Sequence, residues 1–222
     1  MAIVVVGAEK GGVGKSTIAV NLVVSCAAQG KDVLLIDTDK QGSAQQWAAA
    51  RREEGILPAI TCIGLRGKSL KEEVRALKDK YDHIVIDAGG QDSIELRAAM
   101  MVADLIVTPC EPSQFDIFST FTMDRLVGEV RTINEGLAAV LLVNCAPTNA
   151  QQQDVAEMRE ALADMQNYTI LATEVHSRKA YRRCARDGRA TSEYPRAETD
   201  DKAVAEMAAL AAEVWVDERV AS

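Results

Sequence analysis

The chain alternates short, almost continuous blocks of Val, Ile and Leu with longer stretches of helical spacing, and few folds accommodate that pattern. The apolar blocks are Ile3 to Val6, Val33 to Ile36, Ile84 to Ile86, Leu105 to Val107, Leu137 to Val143 and Tyr168 to Leu171, with Thr61 to Gly64 as a further short candidate. A strand that is apolar at nearly every position is covered on both faces, as in a parallel sheet. Between the blocks lie Ser16 to Gln29, Ser43 to Glu54, Ser69 to Lys80, Ile94 to Met101, Ser113 to Ile133 and Asn149 to Met165, all with helical periodicity. The expected architecture is a three-layer α/β fold, a doubly wound and mostly parallel sheet wrapped by helices. No Pro/Ser-rich linker, low-complexity tract or repeat interrupts the alternation, so residues 1–222 read as a single domain closed by an alanine-rich helix over about 202–216.

Composition removes several classes of function. The longest aliphatic stretch, Leu137 to Val143, falls far short of the roughly 20 residues of a spanning helix. Met1 leads straight into the first strand without a basic leader and a cleavable apolar segment, so secretion is not expected and a cytoplasmic location is. Cys26, Cys62, Cys110, Cys145 and Cys184 show no CxxC or zinc-ligand spacing, which predicts reduced and mostly buried thiols. His83 and His176 have no convergent partners in the sequence, and neither is assigned a catalytic role.

The first apolar block runs into Ala8-Glu9-Lys10-Gly11-Gly12-Val13-Gly14-Lys15-Ser16-Thr17, followed by a helical pattern from Ile18. Strand, glycine-rich loop and helix in that order form the setting of a phosphate-binding loop. Gly11, Gly12 and Gly14 let successive N–H groups, Val13 included, turn inward, and the helix N-terminus adds its partial positive charge. Lys15 would reach the β- and γ-phosphates, Ser16 a magnesium ion, and Thr17 the α-phosphate. Two more stretches end apolar blocks: Asp37-Thr38-Asp39-Lys40-Gln41-Gly42 and Asp87-Ala88-Gly89-Gly90-Gln91-Asp92. Ligands in open α/β sheets bind beyond the carboxyl ends of the strands, so these carboxylates can converge on the phosphates.

Glu9 stands where the strict phosphate-loop pattern has its first glycine, and Lys10 precedes the loop lysine by five residues. The resulting KGGVGKST resembles the deviant Walker A signature of the ParA/MinD family of P-loop ATPases. That resemblance implies ATP and Mg2+ as cofactors and an ATP-sandwich homodimer in which Lys10 reaches the partner's phosphates. The Asp37 segment resembles the family's DxDPQG switch, with Asp39 positioning the attacking water, and Asp37 and Asp87 as outer-sphere magnesium partners. Lys40 replaces the usual proline, and Gly89-Gly90 stand where many members have prolines. Asn144 resembles the family's adenine-contacting asparagine, although a plain strand-terminal asparagine fits as well. Pro109 to Asp116 resembles a proline-containing loop that lies near the dimer interface in relatives. The likeness is strongest to short plasmid-partition proteins, to which Gln46-Trp47 adds, and with the loop starting at residue 10 no operator-reading domain is expected.

Charge is concentrated at one place in a chain of net charge -8. Arg178, Lys179, Arg182, Arg183, Arg186 and Arg189 lie between His176 and Arg189 with Asp187 as the one acid, whereas Glu198 to Glu218 is strongly acidic. Arg178, Arg182 and Arg186 at i, i+4 and i+8 would form one basic helix face. Such a face is either simply solvated or, as the resemblance implies, holds DNA without sequence preference through phosphate contacts. Tyr181 either stacks on a base or packs inward. The function implied is an ATP-gated, partner-stimulated ATPase that segregates plasmid, chromosome or other cargo with a ParB-like centromere-binding or cargo adaptor protein, associated with the nucleoid. A MinD-like membrane-site selector would need a basic amphipathic terminus, which the acidic tail does not offer, so stable membrane association is not expected. A metabolic ATP-dependent enzyme on the same fold is the other alternative, and a nucleotide-binding module that does not hydrolyse is a third.

Overall fold

The computed structural model describes residues 1–67, 69–90, 93–148 and 152–215, and the side chains of residues 114–116 and 152–154 are not among those described. The strands are β1 (Ala2–Val6), β2 (Val33–Asp37), β3 (Thr61–Gly64), β4 (His83–Asp87), β5 (Leu105–Cys110), β6 (Ala138–Ala146) and β7 (Thr169–His176). They form one seven-stranded sheet in the order β3-β2-β4-β1-β5-β6-β7. Every pairing is parallel, so the sheet is wholly rather than mostly parallel among the described residues. The helices are α1 (Lys15–Ala27), α2 (Ser43–Glu53), α3 (Leu70–Leu77), α4 (Ile94–Met100), α5 (Gln114–Arg131), α6 (Gln152–Ala161), α7 (Lys179–Asp187) and α8 (Asp201–Val214).

Successive strand side chains point to opposite faces, and both faces are dry. Ile3 and Val5 of β1 pack with Leu70 of α3, Leu96 of α4, Val127 of α5 and Met158 of α6 on one side. Val4 and Val6 pack with Leu22 of α1, Trp47 of α2, Tyr181 of α7 and Leu210 of α8 on the other. This two-sided burial is why the strands read as continuous apolar blocks. The exceptions are the two edge strands, β3, whose residues are exposed or half-buried, and β7, expected over Tyr168 to Leu171 and found over Thr169–His176. In β7 the half-exposed Thr173, Glu174 and His176 break the apolar run. Asn149, proposed as a helix start, and Val216, proposed as the end of the closing helix, lie outside the described residues.

The C-terminal third is tied to α2 by Arg51, which is 1% exposed. Its guanidinium donates to Glu193 Oε1 and Oε2 at 2.6 and 2.7 Å, to Gly188 O at 3.0 Å, and to Pro58 O at 2.9 and 3.0 Å. Gly188 ends α7 at φ 64, and a Cβ there would meet Arg51 N at 2.3 Å. Left-handed backbone and a backbone clash act together at this position, so Gly188→Ala is expected to destabilise the fold by at least about 2 kcal/mol, read from urea unfolding midpoints.

Candidate functional site

The sheet's strand order reverses around β1, and the glycine loop emerges there, as in other open sheets with ligand sites at such a switch point. Its backbone takes φ 82 at Gly12 and φ 88 at Gly14, the residue that caps α1. Asn144, at the carboxyl end of β6 and 4% exposed, donates to Val13 O at 2.6 Å. It presses so closely on Gly14 that a Cβ there would lie 2.5 Å from its amide nitrogen. The Asn144 amide therefore braces the loop. The first turn of α1 then presents N–H groups that the helix cannot satisfy itself.

Two carboxylates lie beneath this turn because of strand register. Asp37 and Asp87 are direct partners across β2 and β4, and Asp87 is also in register with Val6, whose side chain faces α1. Asp37 is fully buried and accepts the N–H groups of Asp39 and Gln45, each at 3.0 Å. Burial raises its carboxyl pKa against the pull of those donors. Asp87 is 1% exposed, and burial pushes its carboxyl up to about 7 despite a hydrogen bond from Ser16 and the nearby charge of Lys15. Its Oδ2 is buried and has no hydrogen-bond partner among the described residues.

The Lys15 ammonium, itself buried, donates to Lys10 O at 2.9 Å. Desolvation lowers its pKa, while Asp87 and Asp39 act in the opposite sense. Asp39 is half-buried and its Oδ1 accepts the N–H of Gln41 at 2.9 Å, a turn that holds its segment without the proline replaced by the exposed Lys40. Arg66 and Glu95 carried no signal in the sequence but shape this corner. Arg66 donates to Asp39 O at 2.8 Å, and Glu95 accepts from Gly67 N at 3.2 Å, which ties the chain after β3 to both walls.

The loop separates two cavities of different character. On the Asp39 side a space of about 760 Å³ is lined by Glu9, Gly11, Asp39, Lys40, Gly90 and Ser93. On the other a space of about 230 Å³ is lined by Gly14, Thr17, Ile18, Asn144, Cys145 and Val175, together with His176, Arg178, Tyr181 and Arg182. The first suits charged phosphate, metal and water, and the second a more apolar group. Gln91 and Asp92, part of the Asp87 segment, lie outside the described residues.

The fold belongs to a described family as well. Residues 4–191 match the model for the CobQ/CobB/MinD/ParA nucleotide-binding domain. The chain belongs to this family, one of nucleotide-binding ATPases that act in partition or positioning. It is 34% identical over 185 residues to the maintenance of carboxysome distribution protein A of Gloeobacter kilaueensis, covering 81% of this chain and 78% of the relative. It is 28% identical over 205 residues to the chromosome-partitioning ATPase Soj of Thermus thermophilus, covering 78% and 81%. Its fold superimposes on a putative plasmid partition protein of Borrelia burgdorferi B31 bound to AMPPNP, with a TM-score of 0.75, 20% identity and coverage of 98% and 99%.

The basic segment does not form the even face that its spacing predicts. Arg178 precedes α7 in extended backbone, φ -123 and ψ 148, so it is not on the helix at all. Its side chain is 15% exposed and pairs with Glu206 of α8 at 2.5 Å. Arg183 pairs with Glu198 at 2.6 Å and lies over the Tyr194 ring, and Arg186 pairs with Asp187 at 2.6 Å. Arg189 donates to Glu193 O at 3.1 Å. Lys179 and Arg182 are exposed, with no ion pair among the described residues. Tyr181 packs inward, 8% exposed. Apart from Asp187, the acids, Glu198 and Glu206, come from beyond the segment, which is why charge counting along it overestimated its free charge.

Asn144→Ala would leave the Val13 carbonyl without its buried donor. It is expected to cost about 1–3 kcal/mol of stability, measurable by urea unfolding, and to weaken nucleotide binding through the slackened loop.

Proposed function

We propose that the chain is an ATP-gated positioning switch: it binds ATP with Mg2+ on the glycine loop, closes as a homodimer, holds DNA without sequence preference, and releases after hydrolysis. The observation that carries the nucleotide part is Asp87. A buried carboxylate with an oxygen unpartnered among the described residues, beside Ser16 at a helix N-terminus, is a poor place for charge until a cation arrives. Ser16, backed by Asp37 and Asp87, would hold magnesium, which neutralises charge on the β- and γ-phosphates when bound.

The chain's own residues supply the remaining roles. Lys15 trades its bond to Lys10 O for phosphate oxygens, with Gly11, Gly12, Val13, Gly14 and Thr17 cradling them through the loop backbone. Asp39, held by the turn to Gln41 and by Arg66, orients the attacking water. Lys10, exposed near the loop's tip, reaches the partner protomer's phosphates. The base lies against Asn144 in the smaller cavity. Lys179 and Arg182 make the DNA contacts, with Arg186 and Arg189 at the margin, while Arg178 and Arg183 serve the protein's own packing. A ParB-like or other cargo adaptor triggers turnover, in a nucleoid-associated cycle. The relatives named for carboxysome distribution and chromosome partitioning support a positioning role with either kind of cargo.

Binding to a random-sequence DNA duplex with ATP–Mg, ADP–Mg and no nucleotide, at three salt concentrations, tests the switch. ATP-dependent and salt-sensitive binding is expected; binding indifferent to nucleotide would refute it. Lys179→Ala with Arg182→Ala should reduce the slope of log affinity against log salt by about 2, close to one for each phosphate left unneutralised. Asp39→Ala is expected to lower turnover by at least about 100-fold, in the range attributed to positioning and acid–base groups, while ATP-dependent dimerisation by light scattering persists.

A further inference from the structure

The smaller cavity has a wall that depends on a residue outside every nucleotide motif. Glu206, on α8, accepts from Arg178 Nε at 3.0 Å and Nη2 at 2.5 Å, from the Tyr181 hydroxyl at 2.6 Å, and from His176 N at 3.2 Å. His176 Nδ1 lies 2.8 Å from the same carboxylate. His176, Arg178 and Tyr181 all line the 230 Å³ cavity, and Glu206 does not. It acts on the cavity only through them.

The charge balance makes this arrangement consequential. Arg178 and Arg182 would by themselves make the cavity cationic and suited to a phosphate. With Arg178 bound to Glu206, the wall beside Ile18, Val175 and Cys145 is charge-matched, and the cation of the lining left unmatched among the described residues is the exposed Arg182. Burial alone would raise the Glu206 carboxyl pKa, yet the hydrogen bonds from Arg178, Tyr181 and His176 N hold it below the ordinary value, so the pair stays charged on both sides. A partly apolar slot with a charge-matched wall, next to a phosphate loop, fits the purine of a nucleoside triphosphate.

We propose that Glu206 is a positioning residue for nucleotide recognition: by holding the His176–Arg178 turn and Tyr181, it shapes a charge-matched wall for the base and keeps Arg178 from turning the slot into a second anion site. This rests on the reading of the glycine loop as the triphosphate site. The loop itself is braced by Asn144, and among the described residues no hydrogen bond joins it to Glu206, so base and phosphate recognition are separable by experiment.

Titration calorimetry with ATP and with inorganic tripolyphosphate, which has no base, compares the two. In Glu206→Gln the affinity for ATP is expected to fall roughly tenfold, the size of one charge-assisted hydrogen bond removed from the wall. Tripolyphosphate affinity is expected to hold or to tighten, so the preference for ATP drops. A merely structural role would weaken both ligands together, and that result, or an unchanged preference, overturns the proposal. Lys15→Ala separates the two levels. If wild-type protein does not bind ATP, or binds it regardless of Lys15→Ala, the nucleotide reading itself fails; if binding is intact and Lys15-dependent but Glu206→Gln keeps the preference, the role of Glu206 alone fails. Should Glu206→Gln not fold, Tyr181→Phe withdraws one donor and leaves the Arg178 pair in place. It is expected to lower the preference in the same direction, and no change overturns the proposal.

Discussion

Burial of the Asp87 carboxylate under the first turn of α1 is the constraint around which the rest of the site is organised. A carboxylate removed from water is unfavourable unless positive charge is near. Here that charge is supplied by the helix N-terminus, by Lys15 and, in the proposed function, by a metal ion with its nucleotide. Asp37, in register on the neighbouring strand, has its own compensation from the N–H groups of Asp39 and Gln45. The two aspartates thus differ in role despite equivalent positions at strand ends. Asp37 organises the start of the Asp39 segment and α2, whereas Asp87 keeps an oxygen without a protein partner among the described residues.

The same matching of charge governs the C-terminal third. Arg51, Arg178 and Arg183 are each matched to an acid contributed by the segment after Gly188. Arg51 is buried with bidentate geometry, and removal of either partner would leave a charge with no solvent. Basic and acidic stretches that look like opposite surfaces in the linear chain are therefore two halves of one packed region. Its purpose is positional: α7 is locked onto α2 at one end and α8 at the other, so that the β7–α7 turn forms part of the lining of the smaller cavity.

Much of this was legible from the residues. Strands apolar on both faces and helices between them pointed to the sheet and its layers, and the glycine loop after the first strand pointed to a nucleotide-binding family, with which the family match agrees. The edge strand β7 was cut short because a strand with one wet face carries polar residues that an apolar-run criterion rejects. The roles of Arg66, Glu95 and Glu206 had no local signal. Each is an ordinary surface-type residue whose partners lie 25 or more positions away.

By itself the sequence determined the alternation of elements, the glycine loop and the aspartates at the strand ends, because periodicity, turn chemistry and motif spacing are local properties. Tertiary structure alone decided which charges remain available. Whether an arginine meets DNA, a nucleotide or its own chain depends on which carboxylate folding brings within hydrogen-bond reach. For Arg178 that carboxylate is Glu206, 28 residues further along and one helix away.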